Sequence, residues 1–255
     1  MVGIFMNGCC GHMGRAIVDM VKHSEDYRIV AGGDIVVPEE PIGFPVYANV
    51  NDCEEDFDVI IDFSNAKAVP GIIEFAKKKN KPLVLCTTGL DDDAVRMSVE
   101  ASKQIPVFRS ANMSLGMNVL FELVRKATRV LYPDYEIEIV EAHHNRKLDA
   151  PSGTAYMIAD IINEEANNEL DYVYERHSEM KARDHKELGI SSIRGGNIVG
   201  EHEVYFIGDE EVLKVSHSAQ RREVFGRGAL TAAKFLVNKP AGCYSMQDVI
   251  TDILK

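Results

Sequence analysis

Residues 2–14 read VGIFMNGCCGHMG, and this stretch decides the fold of the first part of the chain. Its first half, 2–6, is an uninterrupted apolar run, as expected of a strand buried on both faces of a parallel sheet. A glycine-rich turn follows, and apolar residues then recur with helical spacing from Ala16 to Val21. A second apolar run, 29–31, leads to Gly32, Gly33 and an acid, Asp34. Strand, glycine turn, helix, strand and terminal acid together predict a dinucleotide-binding unit.

The glycine spacing is a weak signal when the turn is considered alone. The glycines fall as G-x-x-G-x-x-G rather than the usual G-x-G-x-x-G, and Cys10 stands at the usual second glycine. A purely structural turn is therefore the alternative interpretation. The flanking elements, and Asp34 at 20 residues after Gly14, favour the cofactor interpretation.

The hydrophobic pattern changes near residue 115 and divides the chain into two parts. Before that point strands and helices alternate, and small polar residues follow each strand, where a doubly wound sheet has its ligand crevice. After a long amphipathic helix at 118–131, strand patterns dominate from 190 to 216, and helical spacing returns at 228–237 and 245–254. We predict an α/β protein with a Rossmann-like doubly wound parallel sheet and a second α+β domain with a mixed open sheet. The two C-terminal helices are expected to pack back on the first domain.

Composition narrows the class of function. The formal net charge of −12 argues against nucleic acid or an anionic membrane as the main partner. Five cysteines without a Cys-x-x-Cys pair suggest neither a disulfide framework nor a zinc site, so no metal is predicted. No apolar run approaches membrane-spanning length, and no Lys or Arg precedes Arg15 as in a secretory leader. We expect a cytoplasmic protein.

The most informative chemistry lies in residues 141–155, which read EAHHNRKLDAPSGTA. His143 and His144 can exchange protons near neutral pH, and Lys147 supplies a fixed positive charge. Ser152, Gly153 and Thr154 begin a helical pattern, and the free N–H groups of a helix start suit a carboxylate or phosphate. An acid, cations and an anion-binding turn in one segment predict a small anionic substrate.

Taken together, these motifs resemble the 4-hydroxy-tetrahydrodipicolinate reductase (dihydrodipicolinate reductase) family of lysine and diaminopimelate biosynthesis. The resemblance runs nearly end to end, and the 141–155 segment is its most specific part. It also covers the turn of residues 8–15, the segments 61–64, 87–89, 110–118 and 194–202, and the region 217–228. It implies nicotinamide-dependent reduction of a cyclic dicarboxylate substrate, with hydride added at ring C4 and a proton at C3.

The resemblance also implies a role for individual residues. His143 would be the proton donor and Lys147 its catalytic partner, and His144, Ser152, Gly153, Thr154 and Arg222 would bind substrate. The implied cofactor-binding residues are Gly8, Cys10, Gly11, His12, Met13, Asp34, Phe63, Thr87, Gly89, Ala111, Asn112 and Met113. Hinges near Met113 and Glu223 would separate a dinucleotide-binding domain, 1–113 with 223–255, from a substrate-binding and oligomerisation domain, 114–222. Family members are usually homotetramers.

Two departures from the family pattern affect the choice of cofactor. His12 stands where the family usually has Arg, and Ile35 follows Asp34 where members that bind NADPH tend to have Arg. The carboxylate of Asp34 can accept hydrogen bonds from a free ribose 2′-hydroxyl, and it repels a 2′-phosphate. NADH is therefore expected to be preferred, or used alongside NADPH.

Two other kinds of protein remain as alternatives at this point. One is another nicotinamide oxidoreductase of a small dicarboxylate, such as an aspartate dehydrogenase-like enzyme, that shares only the first domain. The other is a non-enzymatic dinucleotide sensor. The combination of the histidine pair, Lys147 and the Ser-Gly-Thr turn in 141–155 speaks against the first. A sensor should lack the acid and the anion-binding turn, and this chain has both.

Overall fold

Two sheets organise the chain in the computed structural model, which describes residues 1–40 and 42–254. One unit comprises Met1–Leu115 with Glu223–Lys255, and the other comprises Gly116–Arg222. These boundaries lie within two residues of those that the family resemblance implies. The strands are β1 (Val2–Asn7), β2 (Tyr27–Gly33), β3 (Val46–Tyr47), β4 (Val59–Asp62), β5 (Leu83–Leu85), β6 (Pro106–Arg109), β7 (Glu136–His143), β8 (Asp171–Val173), β9 (Glu187–Arg194), β10 (Gly200–Ile207), β11 (Val212–Ala219) and β12 (Gly242–Tyr244).

The helices lie where the hydrophobic periodicities predict them, although the helix with a predicted start at 228 begins five residues earlier, at Glu223. They are α1 (His12–Val21), α2 (Val69–Lys79), α3 (Asp92–Ala101), α4 (Leu115–Leu131), α5 (Gly153–Glu165), α6 (Glu223–Leu236) and α7 (Met246–Ile253). Asp91 caps α3 by accepting a hydrogen bond from the Ala94 N–H, and a capping box of Ser245 and Asp248 begins α7. The sequence predicts both caps, since Asp91 directly precedes a helical pattern and Ser245 and Asp248 have the spacing of a capping box, and the structure confirms them. No helix within the described ranges has the length and apolar character needed to cross a bilayer.

The sheet of the first unit is parallel throughout, in the order β12-β6-β5-β4-β1-β2-β3. Apart from the edge strand β12, this is the doubly wound order of dinucleotide-binding folds, so the fold prediction is confirmed. Ile4 and Met6 on β1 pack with α1, α6 and α7, while Phe5 between them packs with α2 and α3. Side chains of one strand alternate between faces, so helices on both sides explain why β1 is apolar throughout.

The second unit has a mixed sheet in the order β11-β10-β7-β9-β8. The central strand β7 runs parallel to β9 and antiparallel to β10. Helices α4 and α5 cover one face through a core that includes Val124, Ile139, Ile158 and Phe206. The prediction of a mixed α+β domain is confirmed.

Three short strands were not predicted from the sequence: β3, β8 and β12. They have only two or three residues each, too few for an alternating pattern to be recognised. The spacing of apolar residues predicts one helix over 66–79, but this segment begins with a 3-10 turn at 66–68, which α2 follows. The C-terminal helices do pack on the first unit, since α6 and α7 contribute Ala233 and Val249 to its core.

Candidate active site

The glycine turn after β1 is shaped by close backbone contacts. Gly8 has a φ of +78°, and a Cβ there would lie 2.5 Å from the carbonyl oxygen of Phe63. A Cβ on Gly14 would lie 2.1 Å from the carbonyl oxygen of Gly8. Only glycine fits at either position, so the turn brings the start of α1 close to the carboxyl ends of β1 and β4. This is the point where the strand order of the sheet reverses, and such a point is where doubly wound folds bind ligands.

Two cavities open along this edge of the sheet, and both are lined by Phe63 and Ser64. One, of about 570 Å³, lies beside Gly8, Cys10 and Asp34. The other, of about 500 Å³, lies beside residues 86–88 and 110–113. Two adjoining cavities with an acid at one end are the arrangement that the predicted dinucleotide site requires.

Almost every predicted cofactor residue lines one of these two cavities. Gly89 is the exception: it follows the lining residues Thr87 and Thr88 and has a φ of +71°. Arg15, which was not predicted, lines the cavity beside Asp34 and is the only arginine or lysine among its lining residues in the described part of the chain. The predicted residues that line a cavity are Gly8, Cys10, Gly11, His12, Met13, Asp34, Phe63, Thr87, Ala111, Asn112 and Met113.

Asp34 is held by the backbone around it. One carboxylate oxygen accepts the Cys10 N–H at 2.9 Å, and the other accepts the Val36 N–H at 3.1 Å. A carboxylate has about four acceptor positions, so both oxygens can accept further donors such as ribose hydroxyls. The neighbouring side chain of Ile35 is 85% exposed and offers no charge to a 2′-phosphate.

A buried polar network, missed by the sequence analysis, ties three strand ends together beneath the cavities. Asp62, which is fully buried, accepts hydrogen bonds from Asn7 at 2.7 Å and from Thr87 at 2.6 Å. Burial raises the pKa of Asp62, and these hydrogen bonds oppose that rise. Asp62 and Asn7 end β4 and β1, and Thr87 lies two residues after β5, so the network connects the carboxyl ends of three strands below the predicted cofactor residues.

In the second unit, the histidine pair follows from the alternation of β7. Glu141 and His143 point to the same face, and Glu141 is fully buried while His143 is 9% exposed. The Glu141 carboxylate lies 2.5 Å from the Nδ1 of His143. Arg194 on β9 donates to both carboxylate oxygens of Glu141, at 2.6 and 2.9 Å. A buried carboxylate is thus compensated by a bidentate guanidinium and an imidazole.

These contacts determine which nitrogen of His143 can exchange a proton. Burial would raise the pKa of Glu141, but the hydrogen bonds from His143 and Arg194 outweigh it and hold that pKa at about 2. An ionised carboxylate only accepts hydrogen bonds, so the Nδ1 of His143 must carry a proton and donate it. The exchangeable position is therefore Nε2, which faces Gly200, where a Cβ would lie 3.1 Å away.

The start of α5 is joined to the same network. Ser152 donates its backbone N–H to Glu141 at 3.2 Å, and its Oγ accepts the Ala155 N–H. The Oγ also lies 3.1 Å from the Nε2 of His202, a buried residue on β10 whose ring meets that of His143 edge-on at 5.3 Å. Burial, and the nearby His143, lower the pKa of His202 to about 4, so its ring is neutral at pH 7.

The loop between β7 and α5 carries two positively charged side chains, Arg146 and Lys147. The Lys147 ammonium lies 2.8 Å from the carboxylate of Asp149, and this hydrogen bond lowers the pKa of Asp149. Burial, then Arg146 and Arg222, lower the pKa of His144. Arg222 and Lys147 therefore lie near the histidine pair, as the predicted substrate roles require.

The first turn of α5 has room for a ligand at one of the predicted positions. No described atom lies within 4 Å of where a Cβ on Gly153 would stand. The backbone N–H of Gly153 also helps to lower the pKa of the Asp149 carboxylate. Thr154 is half-buried beside it. An external carboxylate at this turn would take over contacts that Asp149 makes now.

Sequence reasoning missed Glu141, Arg194 and Asp62 as members of the site. Glu141 belongs to the segment 141–155. Residues two apart on a strand share a face, so an acid two residues before His143 is the signal that could have identified it. Arg194 follows it by 53 residues, and no local pattern links the two.

The family comparisons match both units of the chain. The profile described as dihydrodipicolinate reductase, N-terminus, matches residues 2–113, and the profile of the C-terminus of the same enzyme matches residues 116–250. A 4-hydroxy-tetrahydrodipicolinate reductase of Caldanaerobacter subterraneus subsp. tengcongensis is 48% identical, and the match covers 98% of each chain. One from Clostridium botulinum strain Eklund 17B is 47% identical, also over 98% of each chain.

A solved structure has the same fold over nearly the whole chain. It is a dihydrodipicolinate reductase from Paenisporosarcina sp. TG-14 with dipicolinate bound. It aligns with a TM-score of 0.80 at 22% identity and covers 96% of this chain and 97% of its own.

Proposed function

The chain belongs to the dihydrodipicolinate reductase family, and on this premise we propose that it reduces 4-hydroxy-tetrahydrodipicolinate to tetrahydrodipicolinate in lysine and diaminopimelate biosynthesis. The observation that carries the proposal is the buried Glu141–His143 pair beside a cationic loop and an open helix start. An enzyme sharing only the first domain is ruled out, because the C-terminal family profile matches 116–250.

The reaction needs one proton at a defined carbon. Loss of water from the substrate leaves an unsaturated cyclic imine, and a reduced nicotinamide bound beside it would supply the hydride for ring C4. The resulting enamine is then protonated at C3. We assign that proton to Nε2 of His143, because Glu141 occupies Nδ1 and orients the ring. The proton passes from nitrogen to carbon with no change in oxidation state at the histidine.

The two substrate carboxylates are assigned to the loop and the start of α5. Lys147, His144 and Arg222 supply positive charge or donors, and Ser152, Gly153 and Thr154 supply the helix start. Since the Lys147 ammonium is paired with Asp149, a substrate carboxylate that binds Lys147 would compete with Asp149 for it. Lys147 thus binds a substrate carboxylate. It supports protonation because it holds that carboxylate beside His143.

Pyridine-2,6-dicarboxylate should bind to the wild-type protein, and more tightly when NADH is present. Its two carboxylates imitate those of the planar substrate, and the solved relative carries the same compound. Lys147→Ala should weaken its binding by on the order of 10-fold or more, the loss of one charge-assisted hydrogen bond. The same variant should cut turnover by on the order of 100-fold. Isothermal titration calorimetry and steady-state kinetics measure these two effects.

Lys186→Ala is the matched control for the Lys147 variant. Lys186 is also paired with a carboxylate in the second unit, Glu169 at 3.2 Å, but it lies outside the cationic loop. Its removal should leave binding and turnover unchanged. Calorimetry showing no heat of binding, with or without NADH, would refute the assigned substrate class.

We propose NADH as the preferred cofactor, with catalytic efficiency equal to or above that with NADPH. Asp34 has free acceptor positions for ribose hydroxyls, and Ile35 provides no positive charge. Ile35→Arg should shift the preference toward NADPH, because a guanidinium binds a phosphate bidentately. The kcat/KM values for both cofactors, measured in both proteins, test this.

Val37→Arg is the control for cofactor choice, because it adds the same charge two residues away and outside the cavity beside Asp34. It should change the preference little. A wild-type enzyme that strongly selects NADPH and does not respond to Ile35→Arg would contradict the proposal. Arg15 would then be the group to test, since it lines the same cavity.

We further propose that the protein is a cytoplasmic homotetramer joined through the second-unit sheet. On that sheet Ile193, Val212 and Leu213 are 53%, 56% and 43% exposed, an apolar surface typical of contacts between subunits. All five cysteines are free thiols, which suits a reducing compartment. Sedimentation should give the mass of four chains of 28.3 kDa, and a monomer would refute the assembly.

A further inference from the structure

Two adjacent cysteines in the glycine turn lie beside the ribose-binding acid. The Sγ atoms of Cys9 and Cys10 are 3.9 Å apart. These sulfurs and a carboxylate oxygen of Asp34 all lie within 4.8 Å of one another. The reaction proposed above uses neither thiol.

The sulfur spacing matches that of a metal site. Zinc binds thiolate sulfur at about 2.3 Å, so two sulfurs at the tetrahedral angle stand about 3.8 Å apart. The observed 3.9 Å needs almost no adjustment. An oxygen of Asp34 can complete a three-ligand set, which leaves the fourth position to water.

The backbone already holds these ligands together. The Cys10 N–H donates to Asp34 at 2.9 Å, and the Gly8 N–H donates to the Gly33 carbonyl at 2.7 Å. Gly32 makes room for the Cys9 thiol, because a Cβ there would stand 2.7 Å from its Sγ. The three side chains therefore lose little conformational freedom when an ion binds, and preorganisation of this kind favours binding.

Two cavities border the group, in which Cys9 is buried and Cys10 and Asp34 are partly exposed. Both cysteines line a cavity of about 360 Å³, and Cys10 and Asp34 line the larger cavity assigned to the adenosine half. Arg15 lines both cavities, and its positive charge opposes a cation. The negative charge of Asp34 and of two thiolates offsets it.

We propose that Cys9, Cys10 and Asp34 bind a thiophilic divalent cation such as Zn²⁺ or Cd²⁺, and that this ion and the dinucleotide exclude each other. Binding replaces the two S–H bonds by two metal–sulfur bonds and releases two protons to solvent, without oxidation or reduction. Burial raises the pKa of Cys9 to about 12, so the ion must displace the proton, as it does at other thiolate sites. The exclusion rests on the proposed role of Asp34 in holding the ribose.

A spacing rule applied to the sequence does not find this site. Adjacent cysteines cannot form the Cys-x-x-Cys motif, and the third ligand is 24 residues away, at the end of the next strand. The sequence analysis accordingly predicted no metal.

The first test is a titration of the full-length, cofactor-free protein with Cd²⁺, followed by the ultraviolet cadmium–thiolate absorption. The wild type should show a saturable band at one equivalent, and Cys10→Ser should lose at least 10-fold in affinity. Cys10→Ala, which keeps the backbone N–H contact with Asp34, should behave in the same way. Circular dichroism confirms that each variant is folded.

Cys243→Ser is the matched control, because Cys243 is the exposed cysteine and lies on the distant strand β12. It should titrate like the wild type. If the Cys10 and Cys243 variants titrate alike, or if no thiolate band appears, the site does not exist.

A second titration separates the metal site from the proposed cofactor site. NADH at about ten times its dissociation constant should raise the apparent Cd²⁺ dissociation constant by about 10-fold, by mass action. If Cd²⁺ binds at Cys10, and NADH binds without changing the apparent Cd²⁺ dissociation constant, the proposal of mutual exclusion is wrong. If NADH does not bind to the protein at all, the cofactor assignment fails and the metal titration still stands on its own.

Discussion

His143→Ala should lower turnover by on the order of 100-fold, the usual loss when a general acid is removed. The affinity for NADH should stay within a factor of two or so, because His143 lies in the second unit and outside the cavities that we assign to the cofactor. The reason for the loss is that His143 is the imidazole that the buried Glu141 carboxylate orients beside the cationic loop. Stopped-flow and steady-state kinetics with the natural substrate measure the loss, and fluorescence titration measures NADH binding.

The control for this variant is His177→Ala. His177 is an exposed histidine of the same unit and contacts the Glu175 carboxylate through its backbone N–H alone, so its removal should change nothing. Near-normal turnover in His143→Ala would show that the proton for C3 comes from elsewhere, and our assignment would be wrong.

Glu141→Ala should be the most destabilising of the substitutions considered, with a loss of about 3 to 5 kcal/mol in the free energy of unfolding. It removes the shared partner of His143, Arg194 and the Ser152 N–H, and leaves the guanidinium without its bidentate acceptor. Glu203→Ala is the control, since Glu203 forms a partly exposed pair with Lys214 on the open part of the same sheet. That change should cost about 1 kcal/mol or less. Chemical denaturation of the two variants and the wild type gives the comparison.

Glu141→Gln separates the positioning role from the stabilising one. Glutamine keeps the shape of the side chain but donates as well as accepts, so it no longer requires a proton on Nδ1 of His143. The variant should remain folded, lose turnover and show an altered pH profile of kcat/KM. A variant with normal turnover and the wild-type pH profile would limit Glu141 to a structural role.

The same residue should govern acid stability. The pKa of Glu141 is lowered from 4.5 to about 2 in the folded protein. Its stabilising contribution is therefore complete above about pH 4.5 and is lost as the pH falls toward 2. The stability difference between wild type and Glu141→Gln should shrink across that window, as thermal unfolding at successive pH values would show. A constant difference would contradict the assignment.

The sequence alone determined the architecture of the first unit and the chemistry of the second. The apolar run at the start, the glycine turn and Asp34 are close in sequence, and each acts through its own backbone, so their pattern was sufficient to predict strand, turn and helix. The caps at Asp91 and Ser245 were predicted for the same reason, because a cap and its helix lie within four residues. The segment 141–155 likewise carried the acid, the cations and the helix start together.

Tertiary structure decided everything that depends on residues distant in sequence. Pairing β7 with β9 places Arg194 beside Glu141, and the contact of β10 with α5 places His202 against Ser152. Only these contacts show which nitrogen of His143 is free. In the same way, the return of β2 beside β1 brings Asp34 to Cys10. A hydrophobic pattern records which face of a strand is buried, but it does not record which strand lies next to it, and the partners of a buried charge are set by that neighbour.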